Sequence, residues 1–278
     1  MNIEEIKKNR EETVSAIEKN EALFVATPVH SDVSLYYMKS CLDLQKECLL
    51  NKTNITFQLM KSSLITQARN LCVSAFLESP SHQLCFIDSD IQFTPRSIYR
   101  MFTSPHEVTC VPYPMKTTYR DKFIHDLKKR PDGDLESLGN IFPIEIENPN
   151  EIKLQDGFME IKKGPTGCMM IKRSALEKLK KAYPNLTISQ KTMINGELLD
   201  RPNYYNFFDT YWDPKEKTYM GEDFYFCKLW KAIGGKIYAL CDESIDHIGD
   251  SIYRGKLIDE LTQIDKKEDK KEEPKKIY

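Results

Sequence analysis

The feature that most limits the fold is a recurrence of short, unbroken apolar runs, each closed by polar or turn residues. Ala22 to Ala26 (ALFVA) stops at Thr27-Pro28, and Leu84 to Ile87 stops at Asp88-Ser89-Asp90. Runs of this length, apolar at every position, suit strands buried on both faces. Asn54 to Met60 (NITFQLM) reads as a further strand between them. Leu35 to Leu50 has a helical pattern. Ser62-Ser63 then precedes a segment in which Ala68, Leu71, Cys72, Ala75 and Phe76 recur at three-four spacing, with the serines as its expected cap. Strand-helix alternation predicts an α/β fold, with a mostly parallel central sheet flanked by helices. Ligands of such sheets sit beyond the C-terminal strand ends. Thr27-Pro28, Lys61-Ser62 and Asp88-Ser89-Asp90 all fall at that edge.

Farther on, Val108 to Val111, Phe158 to Lys162, Cys168 to Ile171 and Lys236 to Leu240 read as strands. Ser174 opens a helix through Lys181, and Phe224 to Ile233 is a helix stopped by Gly234-Gly235. Residues 116–150 read as irregular or as extra edge strands, with a turn at Pro131-Asp132-Gly133-Asp134, and 184–215 as a polar loop. Residues 1–21 are expected to form a polar N-terminal helix, 22–264 one domain, and 265–278 a disordered charged tail. A net charge of −2 over 278 residues supplies no footprint for non-specific nucleic-acid binding. No window approaches the roughly 20 apolar residues of a membrane span, and the charged N-terminus lacks the core of a signal peptide. The chain therefore reads as soluble and cytoplasmic. Its eight cysteines never form a CxxC pair, so they are expected to be free and buried.

The chemistry-bearing residues fall in four groups. Asp88 and Asp90, one residue apart at a strand end, suit a hard divalent cation such as magnesium or manganese, which keeps positions open for phosphate oxygens. The alternative is a turn with two solvated carboxylates. A phosphatase that opens on a strand-end D-x-D wants Thr or Val where this chain has Gln92. His247, after a late strand and before Gly249, is a candidate third ligand or a surface histidine bonded to a carboxylate. Glu222 and Asp223 open a helix, where acidic residues complement the dipole, or where one of them serves as a general base. Arg69 and Asn70 lie on the helix after the second strand. There Arg69 sits on a solvated face or pairs with phosphate, and Lys116, Arg254 and Lys256 are further cations for phosphate charge.

The order of motifs is more specific than any one of them: a strand ending in TP, then SLITQARN, FIDSDIQF, VPYPMK, GPTGCMMIKRSAL, GEDFYFCKLWKAIGGKIY and DHIG. Over about residues 22–255 this resembles a glycosyltransferase of the GT-A fold, similar to glycosyltransferase family 2 and its viral and bacterial relatives. The resemblance implies a single Rossmann-like GT-A domain that moves a sugar from a nucleoside-diphosphate sugar, of UDP or GDP type, to a hydroxyl on a glycan, lipid-linked or protein acceptor. Asp88, Asp90 and His247 would hold Mn2+ or Mg2+ on the donor diphosphate. Thr27, Pro28, His30, Arg69, Asn70, Ser89 and Lys116 would line the donor pocket, and Thr166 and Gly167 would border the sugar. Asp223 would deprotonate the acceptor in an inverting displacement, with Glu222 close by. A retaining enzyme with the same donor site, and a non-catalytic nucleotide-sugar-binding module, are the alternatives. The chain lacks the Q/R-x-x-R-W helix of processive synthases. Tyr204, Tyr205, Phe207, Phe208, Tyr211 and Trp212 are candidates for stacking on a sugar.

Overall fold

The computed structural model describes residues 21–131, 135–194, 197–215 and 217–261. The expected N-terminal helix, apart from Glu21, and the charged tail lie outside them. In chain order the first half contains β1 (Ala22–Val29), α1 (Leu35–Leu50), β2 (Asn54–Lys61), α2 (Ile65–Glu78), β3 (Gln83–Ile87), β4 (Ile91–Gln92), α3 (Pro95–Thr103), β5 (Val108–Cys110) and α4 (Arg120–Lys129). The second half contains β6 (Glu145–Ile146), β7 (Phe158–Lys163), β8 (Cys168–Lys172), α5 (Arg173–Ala182), β9 (Thr192–Ile194), β10 (Glu197–Leu199), β11 (Tyr211–Asp213) and β12 (Thr218–Met220). It ends with α6 (Glu222–Ala232), β13 (Ile237–Leu240), β14 (Ile245–Ile248), β15 (Ile252–Gly255) and α7 (Ile258–Leu261).

Eight strands form the main sheet in the order β2-β1-β3-β8-β5-β13-β7-β6. Its core follows from the two-residue period of a strand. Leu23 and Val25 of β1, Cys85 and Ile87 of β3, and Cys168 and Met170 of β8 face one layer, built with α1 and α3. Phe24, Ala26, Leu84, Phe86, Met169 and Ile171 face the other, where α2, α5 and α6 contribute Leu71, Phe76, Leu176, Leu179, Phe226 and Trp230. Both faces are covered, which is why these runs carry no polar alternation.

The sheet is not mostly parallel, and the expected Rossmann-like arrangement does not hold. The pairs β1/β2, β1/β3 and β5/β13 are parallel, whereas β3/β8, β5/β8, β7/β13 and β6/β7 are antiparallel. A parallel neighbour needs a crossover of a dozen or more residues, usually a helix. The first three strands have such crossovers. β8 is instead reached from β7 through residues 164–167 alone and runs against both its neighbours. A strand buried on both faces looks the same in sequence whichever way it points.

Smaller corrections concern helix ends and loops. Leu64, with no side-chain cap, precedes α2; the Ser62 hydroxyl accepts the Leu64 N–H at 3.1 Å. Residues 116–150 contain a helix, α4, which buries only Asp126 and so carries no apolar stripe to be read. Among the described residues no helix is long and apolar enough to cross a membrane.

Candidate functional site

At the C-terminal end of β3 the backbone turns sharply. Asp88 N–H donates to Gly167 O at 2.9 Å, and Ile91 N–H returns to Asp88 O at 3.1 Å. The two-residue β4 that follows pairs with β14, with His247 opposite Ile91. Ile248 N–H donates to Asp90 O at 2.8 Å. This small second sheet brings His247, 157 positions after Asp90 in sequence, alongside it: Nε2 lies 3.7 Å from Asp90 Oδ2. His247 Nδ1 is 2.9 Å from Pro114 O. A carbonyl only accepts, so Nδ1 carries the proton and Nε2 faces the carboxylate.

Lys116 reaches the same oxygen, with Nζ 2.5 Å from Asp90 Oδ2. Burial raises the Asp90 pKa, but the neighbouring His247 and Lys116 outweigh it and hold the group at about 2. Asp88 faces the other way. Arg69, on α2 and only 3% exposed, donates through Nη2 to Asp88 Oδ2 and through Nε to Glu222 Oε1, both at 3.1 Å. Burial alone would weaken the charge on Arg69; Asp88 and Glu222 overcome that and keep it protonated. Among the described residues two buried polar atoms here, Arg69 Nη1 and Thr166 Oγ1, have no hydrogen-bond partner, and Asp88 Oδ1 is held only by its ion pair with Arg69 Nη2 at 3.1 Å. Unpaired buried polar atoms are costly, and each calls for a physical reason.

Glu222 and Asp223 form the first turn of α6, after Gly221. Asp223 Oδ1 accepts the Phe224 N–H at 2.7 Å. Burial, helped by the charge of Glu222, pushes the Asp223 carboxyl up to about 6. That brings it close to the range in which a carboxylate works as a base near neutral pH. Gly167 has a steric reason to be glycine. A Cβ there would lie 2.2 Å from the Tyr113 hydroxyl and 2.7 Å from Asp88 Oδ2. Tyr113 drew no interest in the sequence, since nothing in its spacing marks it. Its hydroxyl accepts the Gly167 N–H at 3.2 Å, and its ring meets His247 edge-on at 4.9 Å.

The structure thus gathers Arg69, Asp88, Asp90, Lys116, Gly167, Glu222 and His247 into linked contacts, with Asp223 next to Glu222 and Thr166 next to Gly167 in the chain. Other candidates lie apart from those contacts. Thr27 is buried in β1 and hydrogen-bonds the Tyr37 hydroxyl. Pro28 is buried, His30 is exposed just past the strand, and Ser89 offers its backbone carbonyl to Ser34 N–H at 2.9 Å. Asn70 clamps a loop: its amide donates to Asn206 Oδ1 and Phe208 O, and its Oδ1 accepts the Phe208 N–H. Arg254 pairs with Asp246 at 3.1 Å, and Lys256 is exposed. Of the aromatic residues, Tyr204, Phe207 and Phe208 are core, and Tyr205 stacks on Phe207. Trp212 is exposed on the β11–β12 hairpin, against Tyr219.

The expected metal ligands do not share one point. Among the described residues no three His, Cys, Asp or Glu side chains are placed to hold a metal ion. Asp88 is turned to Arg69, and the Asp90 oxygen nearest His247 already carries an ammonium. As arranged, the three do not fit a common divalent cation.

No family model matches the chain, and no curated protein does. Among solved structures it is similar to A197 from STIV, at 18% identity and a TM-score of 0.45, over 82% of this chain and 86% of that one. A glycosyltransferase involved in the glycosylation of the major capsid of PBCV-1 aligns at 11% identity and 0.31, over 59% and 66% of the two chains. A 4-diphosphocytidyl-2C-methyl-D-erythritol synthase from Anaerococcus prevotii DSM 20548 aligns at 8% and 0.30, over 62% and 78%. These likenesses are weak and partial, and none is a specific match to glycosyltransferase family 2.

Proposed function

We propose that the residues gathered at the C-terminal edge of β3 bind a nucleoside-diphosphate sugar, with its diphosphate beside Asp88, Asp90 and Lys116 and its sugar beside Thr166 and Gly167. The observation that carries the reading is the buried cluster around Arg69. One guanidinium ties the aspartate at the end of β3 to the first residue of α6, and among the described residues Arg69 Nη1 and Thr166 Oγ1 remain without a hydrogen-bond partner. A sugar hydroxyl, which both donates and accepts, is suited to such atoms. The test is calorimetric titration of UDP, GDP, CDP and dTDP, with and without manganese. One nucleotide should bind in the micromolar range and lose its affinity in Asp88→Ala. If all four stay silent under both conditions, the reading is wrong.

Glycosyl transfer is the second reading, favoured by the raised pKa of Asp223. In an inverting step the acceptor hydroxyl oxygen bonds to the anomeric carbon, and its proton passes to an Asp223 carboxylate oxygen. The bond from the anomeric carbon to the phosphate oxygen breaks, and the nucleoside diphosphate leaves with the electron pair. A retaining enzyme would use the same donor site without requiring Asp223 as base. A non-catalytic module would bind the donor and turn nothing over. Asp223→Asn separates these: nucleotide binding stays measurable in every case, and only the inverting enzyme loses transfer through loss of its base.

A further inference from the structure

The D-x-D carboxylates already have cations. Asp88 is held by Arg69, whose side chain is almost fully buried. Asp90 is held by Lys116, and the place of this lysine is built into the fold. Its aliphatic stem lies against the backbone at Gly249, where a Cβ would come within 3.0 Å of Lys116 Cδ, 3.5 Å of Cγ and 3.6 Å of Cε. The segment that presents it is fixed on several sides. Pro114 O accepts from His247 Nδ1, Met115 N–H donates to Ile141 O at 2.8 Å, and Thr117 N–H donates to Met115 O at 2.7 Å. Prolines at 112 and 114 restrict the backbone further.

We infer that Lys116 supplies, from within the chain, the positive charge that a divalent ion would bring to Asp90, so that a nucleoside diphosphate binds here without a metal. The inference rests on the nucleotide-sugar reading and names the group that neutralises the diphosphate in it. An ammonium has three N–H donors. Asp90 takes one, which leaves two for the non-bridging oxygens of a diphosphate. A divalent ion at Asp90 has to displace this ammonium and then sit between two retained cations, Lys116 and Arg69. A positive charge held in place before the ligand arrives needs no reorganisation when negative charge builds on a leaving phosphate.

The experiment is titration of the same four nucleotides into full-length protein stripped with EDTA, then into protein with added manganese, for the native chain, Lys116→Gln and Lys116→Arg. Circular dichroism checks that the variants are folded. The native chain should bind one nucleotide in EDTA with an affinity that manganese leaves unchanged. Lys116→Gln should weaken that binding about tenfold or more, the scale of a lost charge-assisted bond, and Lys116→Arg should keep most of it. Binding that appears only with manganese, or Lys116→Gln that binds as well as the native chain in EDTA, overturns the inference and leaves the nucleotide reading standing. Silence from every nucleotide in both conditions brings down the reading, and this inference with it.

Discussion

A single carboxyl, that of Asp223, joins stability and activity in opposite directions. Its pKa rises from 3.8 to about 6 in the folded chain, first by burial and then by the neighbouring Glu222. Between those two values the native state binds more protons than the unfolded state, so stability falls as pH rises from about 4 to 6 and is level above. Integrated, the penalty is at most about 3 kcal/mol. Asp223→Asn removes it while an amide oxygen still accepts the Phe224 N–H. The variant should be more stable than the native chain at pH 8, by on the order of 1–3 kcal/mol in urea denaturation, and equal to it near pH 4. If Asp223 is the base, the native transfer rate should climb about tenfold per pH unit below 6 and then flatten, with Asp223→Asn inactive throughout. At this scale the sequence showed which residue types stand at the sheet edge but not their pairing. That Asp88 faces Arg69 and Asp90 faces Lys116 depends on contacts between elements far apart in the chain.

At the scale of one element, α6 shows two neighbouring glycines doing different work. The helix ends in a Schellman arrangement: Gly234 N–H donates to Lys231 O and Gly235 N–H to Trp230 O, both at 3.0 Å. Gly234 has φ +86°, a conformation that costs a side chain, and its role was legible as a helix stop. The role of Gly235 was not. A Cβ there would fall 2.1–2.5 Å from three ring atoms of Trp230, whose Nε1 donates to Lys236 O at 2.9 Å. Trp230 is only 2% exposed, and its ring is held by that hydrogen bond. Gly235→Ala should therefore cost about 1–3 kcal/mol by overpacking, measured as a lower urea midpoint with unchanged slope. Gly234→Ala should cost about 1 kcal/mol through its backbone alone. The bounds of α1 were read correctly from its pattern, whereas α4, polar on nearly every side, was missed.

For the whole molecule, which segments are strands was written in the sequence more clearly than how they pair. ALFVA, LCFI and CMMI announce burial on two faces through their composition. Direction comes from the path of the whole chain, and the short link at residues 164–167 joins two strands, β7 and β8, that run the same way in the sheet. The eight cysteines show what composition can carry over the full chain. All are free and buried. For most of them burial also raises the thiol pKa; Cys72, Cys168, Cys227 and Cys241 are pushed up to about 12. Ellman's reagent should find almost no reactive thiol in the native protein and eight after guanidinium unfolding, with no change on prior reduction. Rapid native labelling of several cysteines would contradict the packing of both layers.

Arg69 has one positive charge and divides it between carboxylates 134 residues apart in sequence, Asp88 and Glu222. That makes it a fixed quantity shared by the two sides of the site. A ligand that engages Asp88 alters how much of the charge remains for Glu222, and Glu222 in turn sets part of the proton affinity of Asp223. By thermodynamic reciprocity the protonation of Asp223 must then alter the affinity of that ligand by the same factor. Ligand binding at Asp88 and proton binding at Asp223 would then form one coupled equilibrium, joined through a side chain that solvent hardly touches.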